Sequence, residues 1–270
     1  MKKLDGKIAI IGVGNIGASI ADGIIESGLA IPSDLFLTRR SAAHLEKYAV
    51  SGCSTGTDNS DAVRNADYII IAVTPKQLND LLIEIKPVID PERHIVISVV
   101  SGASVQSIKS FLGANVKVVR VMPNTAIAIR ESMTCISAAQ GDESALEVTK
   151  QIFDLMGATL VIKEELMVPA TALCACGIAF FFRAVRAASQ GGIEIGFHAE
   201  DALFMAAQTA KGAASLLLTK GMHPESEVDK VTTPQGCTIS GLNNMEHAGF
   251  SSALIKGIVT SADKAKDLYS

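Results

Sequence analysis

The sequence predicts an α/β protein, a doubly wound sheet followed by an all-α C-terminal half, on three observations. Short Val/Ile-rich runs alternate with helical stretches from Lys7 to Ile162. A glycine-punctuated turn closes the first of those runs. After Lys163 the β-rich runs stop, and long Ala-rich stretches take over. Strand–helix alternation implies parallel strands with helices on both faces. The expected domains are therefore 1–162 and 163–270.

Strands are expected at Ile8–Val13, Leu35–Thr38, Tyr68–Val73, His94–Val100, Val116–Val121, Met133–Ser137 and Thr159–Ile162. Most are continuous apolar runs, as strands covered on both faces should be. Gly17–Ser27, Ala42–Ala49, Lys76–Ile89 and Glu143–Met156 read as helices between them. In the second half Pro169–Gly196 and Ala199–Thr219 read as two long helices, and Glu246–Leu268 as a last one, bent near Gly249. Residues 202–218 are apolar or small on nearly every side, and such a helix must be buried all round. About 105 residues of helical domain are too few to bury two such helices alone. The expected partner is a second copy, a homodimer through the C-terminal helices and possibly a higher oligomer. Phe180, Phe181 and Phe182 read as core or dimer contacts.

Composition narrows the function. With 48% hydrophobic and 19% charged residues, the chain is not of disordered type. Lys and Arg total 24 against 28 Asp and Glu, a net charge of −4, so general binding to nucleic acid or anionic membrane is disfavoured. There is no Trp, and aromatics are 4%, which leaves few stacking platforms for single strands. Five scattered cysteines do not form a secreted disulfide framework and indicate a reducing, cytoplasmic setting. Met1-Lys2-Lys3 before an apolar run superficially suggests a signal peptide, but Gly12, Gly14 and Gly17 break the run. The apolar stretch Ala170–Phe182 ends at Arg183, short of the roughly 20 residues of a membrane span. His44, His94, His198, His223 and His247 show no metal-ligand spacing, nor does Cys174-x-Cys176, so no metal is expected. Glu225, Glu227 and Asp229 read as a solvated acidic helix face.

Gly12-Val13-Gly14-Asn15-Ile16-Gly17 fits G-x-G-x-x-G between a strand and a helix, the context that makes this pattern informative. It marks a Rossmann-type dinucleotide site. Gly12 permits the tight turn, Gly14 lets the backbone approach a pyrophosphate, and Gly17 lets the helix pack closely on the sheet. The helix N-terminus then favours the negative charge. An NAD enzyme should show an acid at the end of its second strand. Here that strand ends Thr38-Arg39-Arg40, and Asp34 precedes it. Guanidinium groups suit a phosphate dianion, so NADP(H) is the expected cofactor, with Thr38, Arg39 and Arg40 around the 2′-phosphate and NAD(H) also possible. Two further strand ends, Ala72-Val73-Thr74-Pro75 and Val100-Ser101-Gly102, point at the same edge. At Ser101 and Gly102, close approach to a nicotinamide and plain turn chemistry both fit.

A third strand end reads Met122-Pro123-Asn124-Thr125, and the helical half carries Val231-Thr232-Thr233-Pro234-Gln235-Gly236-Cys237-Thr238. With the glycine loop, Ala207-Gln208-Thr209, Gly212-Ala213-Ala214 and Glu246-His247-Ala248-Gly249-Phe250, the chain resembles pyrroline-5-carboxylate reductases nearly end to end. The resemblance implies reduction of 1-pyrroline-5-carboxylate to L-proline with NAD(P)H. It implies a substrate site at Thr233, Gln235, Gly236, Cys237 and Thr238, whose backbone N–H groups hold the carboxylate. Thr238 would sit near the imine nitrogen, where orienting the imine and merely capping the following helix are both open. The family's cofactor residues map onto Gly12, Gly14, Asn15, Ile16, Gly17, Thr38, Arg39, Arg40, Asn59, Ala72, Thr74 and Pro75. Met122, Pro123 and Asn124 look like the floor under the nicotinamide.

The chain departs from the family pattern in places. Gln235 replaces a second glycine, Cys237 stands where Thr or Ala is frequent, and Cys174-Ala175-Cys176-Gly177-Ile178 replaces a Ser-Gly-Ser-Gly-Pro run. Ala126 replaces a proline, and Arg186 and Gln190 lie where acids are common. Other readings are a related imine reductase, a β-hydroxyacid-type reductase using Lys211 or Lys220, or a non-catalytic dinucleotide-binding regulator.

Overall fold

A computed structural model describes residues 4–267; Met1-Lys2-Lys3 and the last residue of the expected helix Glu246–Leu268 lie outside them. The chain divides into two units, one reaching 175 and resuming at 261, the other spanning 176–260. The division falls later than the expected 162/163. The helical turn after Lys163 still packs into the first unit, where Met167 and Ala170 are buried with Met122 and Cys135.

The first unit is built on an eight-stranded sheet of order β3-β2-β1-β4-β5-β6-β7-β8. The strands are β1 (Ile8–Ile11), β2 (Leu35–Thr38), β3 (Ser54–Gly56), β4 (Tyr68–Ile71), β5 (Ile95–Ser98), β6 (Lys117–Met122), β7 (Ser132–Ala138) and β8 (Gly157–Val161). Between them lie α1 (Asn15–Ser27), α2 (Glu46–Val50), α3 (Asn59–Arg64), α4 (Pro75–Ile85), α5 (Val105–Leu112) and α6 (Glu143–Phe153). Alternate strand residues feed two cores. Ile8, Ile10, Leu35, Leu37 and Ile97 pack with Ile20 and Ile24 of α1 and Ile152 of α6. Ala9, Ile11, Ile69, Ile71 and Val96 pack with Val63 of α3, Leu78 and Leu82 of α4 and Ile108 of α5. Burial on both faces is what the continuous apolar runs require.

The sheet is not parallel throughout. β6 and β7 pair antiparallel, and β8 runs parallel to β7. Only residues 123–131 join β6 to β7, fewer than the dozen or so a parallel crossover needs. In β1, β4 and β5 the strand stops two residues before the apolar run does, at Ile11, Ile71 and Ser98. There the chain turns over the rim of the sheet.

The second half continues from α7 (Met167–Ala170) through a π-helical run, Thr171–Cys176, into α8 (Gly177–Glu194). Then come α9 (Ala199–Lys220), α10 (Pro224–Val231), α11 (Cys237–His247) and α12 (Phe250–Ala265). Gly192 lets α8 approach α9, since a Cβ there would lie 3.0 Å from Ala202 Cβ. Residues 202–218 are not buried all round within one chain: Ala202 is the one buried residue of α9, and Phe204 is 72% and Leu218 87% exposed. Phe181 and Phe182 are likewise exposed, which removes the core role for them. The helical run Glu164–Glu194 spans 31 residues and, by length and composition alone, could cross a membrane. It is longer than the Ala170–Phe182 stretch because helix continues on both sides of it.

Gly157 opens β8 at φ +134°, and a Cβ there would fall 2.2 Å from the Ser132 carbonyl oxygen. Replacement by alanine must therefore move β7 or β8 backbone. Gly157→Ala is expected to lower unfolding free energy by at least about 2 kcal/mol in urea titrations. Gly141→Ala, at φ +96° with open space around it, is expected to cost about half that.

Candidate active site

The carboxyl ends of β1, β2 and β4 enclose a cleft of about 670 Å³. Among the expected residues, Gly12, Gly14, Thr38, Arg39, Arg40, Asn59, Ala72, Val73 and Thr74 line it. Its location outside the strand ends is where open α/β sheets take ligands.

The three glycines of the first loop differ in what requires them. Gly12 turns at φ +96°, and a Cβ on it would sit 2.7 Å from the Ala72 carbonyl oxygen. On Gly17 a Cβ would sit 2.4 Å from the Gly12 carbonyl oxygen. On Gly14 it would meet nothing within 4 Å. The protein's own packing explains the first and third glycines, while the second faces open space in the cleft. Gly14 is also the N-cap of α1, with no side chain capping it and no acid in the first turn. The leading N–H groups of α1, from Asn15, Ile16 and Gly17, have no intrahelical acceptor and suit a phosphate. The residues present thus fit a dinucleotide pyrophosphate.

At the end of β2, Gly12 and Val13 N–H groups donate to the Thr38 carbonyl at 3.0 and 3.1 Å. Arg39 Nη1 donates to the Val13 carbonyl at 3.2 Å, tying that guanidinium to the glycine turn, while Arg40 is exposed. Among the described residues neither arginine forms an ion pair. Thr38 Oγ1 donates to Asn59 Oδ1 at 2.7 Å, and Asn59 Nδ2 donates to the Glu84 carboxylate at 3.0 Å. Asp34 lines a different cavity, with Lys7, Asp67 and Arg93. Thr74 starts α4 through a capping box with Gln77, and Pro75 takes the first helical position, where its missing N–H costs nothing.

Farther along the rim, Ser101 and Gly102 follow β5, and Ser101 Oγ lies 3.9 Å from Met122 Sδ. Gly102 has φ +87°. Met122 and Pro123 are buried. Asn124 accepts from Ala126 N–H at 3.0 Å, and its own N–H donates to Ser132 Oγ at 3.1 Å. None of these five lines the cleft.

In the second unit, Thr233-Pro234-Gln235-Gly236 turns into α11. Gly236 N–H donates to the Thr233 carbonyl at 2.9 Å, and a Cβ on Gly236 would strike Thr233 Oγ1 at 2.6 Å. Gln235 takes φ +59°, a left-handed conformation that glycine adopts freely and a longer side chain resists. The N-cap of α11 is Gly236, with no side-chain cap, so Thr238 is not the capping residue. N–H groups of Cys237, Thr238 and Ile239 therefore have no intrahelical acceptor, an arrangement suited to a carboxylate.

The cysteines pair otherwise than by adjacency. Cys174 faces Cys135, and their mutual hydrogen bond lowers the Cys174 thiol from its ordinary value while the same bond and burial push Cys135 up. Cys237 is exposed. Ser41, His44, Thr57, Gln77, Asp80, Leu81 and Glu84 also line the cleft and were not expected. Four of them share one face of α4, at positions 77, 80, 81 and 84, a spacing readable as a stripe.

Comparison with known proteins completes the picture. Residues 164–268 match the family model described as pyrroline-5-carboxylate reductase dimerisation, and residues 7–102 the one described as NADP oxidoreductase, coenzyme F420-dependent. Pyrroline-5-carboxylate reductase 1 of Dictyostelium discoideum is 54% identical over all of this chain, which spans about half (51%) of that relative's length. Pyrroline-5-carboxylate reductase 2 of the same organism is 50% identical, with 96% of this chain and 91% of the relative covered. A solved pyrroline-5-carboxylate reductase from Coxiella burnetii superposes with TM-score 0.91 at 27% identity, covering 98% of this chain and 99% of that one. Likeness runs through the glycine turn and the helical half alike, and on that likeness the chain belongs to the pyrroline-5-carboxylate reductase family.

Proposed function

We propose that this chain reduces the cyclic imine 1-pyrroline-5-carboxylate to L-proline, with a reduced nicotinamide dinucleotide as the electron source. The observation that carries the cofactor half is Gly14, the loop glycine that no protein neighbour requires. Family membership supports the substrate half. When bound, the dinucleotide supplies a hydride to the C=N carbon. The proposed binding runs along the rim: pyrophosphate at Gly12, Gly14, Asn15, Ile16 and Gly17, adenosine toward Thr38, Arg39, Arg40 and Asn59. Ala72, Val73, Thr74 and Pro75 continue the rim, and Ser101, Gly102, Met122, Pro123 and Asn124 would border the nicotinamide.

The substrate carboxylate is assigned to the N–H groups that open α11, with Thr233, Gln235, Gly236 and Cys237 shaping the turn. Thr238 is the proposed catalytic residue. Its hydroxyl orients the imine nitrogen in this reading, an aliphatic alcohol being a weak acid. A protonated iminium is a good electrophile near neutral pH, so the chemistry asks for positioning more than for a strong base. Holding the reactants in place can supply on the order of 7–11 kcal/mol of the barrier reduction.

NADP(H) is the preferred cofactor in this reading, with NAD(H) usable. Two guanidinium groups without carboxylate partners among the described residues support it. A homodimer through the C-terminal helices, possibly within a larger oligomer, is supported by the exposed apolar side chains of α8 and α9. It also gives the apolar run 164–194 a protein environment instead of a membrane. Five free thiols support a cytoplasmic setting. The acidic balance argues against nucleic-acid partners.

NADPH oxidation with pyrroline-5-carboxylate, followed by absorbance and by proline formation, tests the reaction; absence of proline with either dinucleotide refutes it. Arg39→Ala with Arg40→Ala should weaken NADPH binding roughly 10- to 100-fold and NADH binding little, by fluorescence titration. Equal losses would remove the 2′-phosphate assignment. Thr238→Ala should lower kcat roughly 10- to 100-fold with NADPH affinity unchanged. Phe204→Glu, at a position 72% exposed in the single chain, should shift sedimentation from dimer to monomer.

A further inference from the structure

The relay Thr38–Asn59–Glu84 has a fixed direction, and the direction has a consequence for the cleft. Glu84 offers a carboxylate, which only accepts hydrogen bonds. Asn59 must therefore turn Nδ2 toward it, at 3.0 Å, and Oδ1 toward Thr38, at 2.7 Å. Reversing the amide would set Oδ1 against the carboxylate. The Thr38 hydroxyl has a single hydrogen, and Asn59 Oδ1 takes it. Toward the cleft, which Thr38 and Glu84 both line, Thr38 is left with a lone pair. A ribose 2′-hydroxyl can donate to that lone pair. A 2′-phosphate dianion cannot, and it also meets the negative field of Glu84. Arg39 and Arg40 on the same cleft pull the other way, toward the phosphate.

We propose that Glu84 is a specificity-determining positioning residue, holding Asn59 and Thr38 in the acceptor polarity that keeps a dinucleotide with a free 2′-hydroxyl competitive against its 2′-phosphorylated form. This rests on the dinucleotide reading of the cleft. Glu84 touches neither reacting atoms nor the nicotinamide end; it acts through Asn59. Its backbone carbonyl also accepts from Ser60 Oγ at 3.2 Å, which braces α3 on α4 and does not depend on the side chain.

The test titrates NADH and NADPH separately by nicotinamide fluorescence on the full chain, in the wild type, Glu84→Gln and Glu84→Asp. A glutamine offers either an amide N–H or a carbonyl, so Asn59 is free to reverse and Thr38 to donate. Glu84→Gln is expected to raise the ratio of NADPH to NADH affinity about fivefold, with the melting temperature little changed. Glu84→Asp keeps an acceptor-only group and is expected to stay near the wild-type ratio. An unchanged ratio in Glu84→Gln, with both affinities moving together, overturns the inference and leaves Glu84 a brace. So does the same ratio change in Glu84→Asp. Failure of the wild type to bind either dinucleotide overturns the cofactor reading itself, and the inference with it.

Discussion

Three strand ends are locked together by the turn that begins at Gly12. Its N–H and that of Val13 bond to the carbonyl closing β2, while Ala72 N–H bonds to the Ile11 carbonyl at 2.8 Å. No side chain fits at Gly12 against Ala72, or at Gly17 against Gly12. The turn is thus a packing constraint before it is a binding feature. It sets where α1 begins and fixes the Val13 carbonyl that holds Arg39. A ligand that uses this rim inherits an electrostatic frame already assembled by the sheet, with little left to organise when it binds.

What the sequence made legible was local chemistry on long apolar runs. β1, β4, β5 and β6 could be read because both faces are buried and nearly every residue is apolar. β3 could not: Ser54-Thr55-Gly56 is three residues long and carries no apolar side chain. It is held by pairing with β2 and not by its own composition. The reversal at β7 does not show in strand–helix alternation; it follows from the connection 123–131, which holds only a 3₁₀ turn and is too short for a parallel crossover.

The same division holds in the cleft. The glycines and arginines were legible because each residue type has one dominant use in that position. Asp80 and Glu84 were not, because acids on the polar face of an amphipathic helix look like solvated surface. Only the register of α4, fixed by Leu78, Leu82 and Ile85 packing inward, turns that face to the cleft. The consequence is a cleft carrying both charge signs. A pattern confined to β2 shows the arginines but not the acids that α4 brings to the same cleft.

The helical half poses the complementary problem, large apolar side chains left exposed among the described residues. Leu203, Phe204, Leu216 and Leu218 of α9 and Phe181 and Phe182 of α8 are all exposed. Covering a large apolar side chain is worth about 1.5–3 kcal/mol, so leaving six of them in water is a heavy penalty for a unit of this size. The α11 turn meanwhile carries a left-handed glutamine, a conformation costing about 1–2 kcal/mol. A strained turn persists only where its surroundings over-determine it. In the proposed homodimer, covering α8 and α9 would remove the larger of these two penalties.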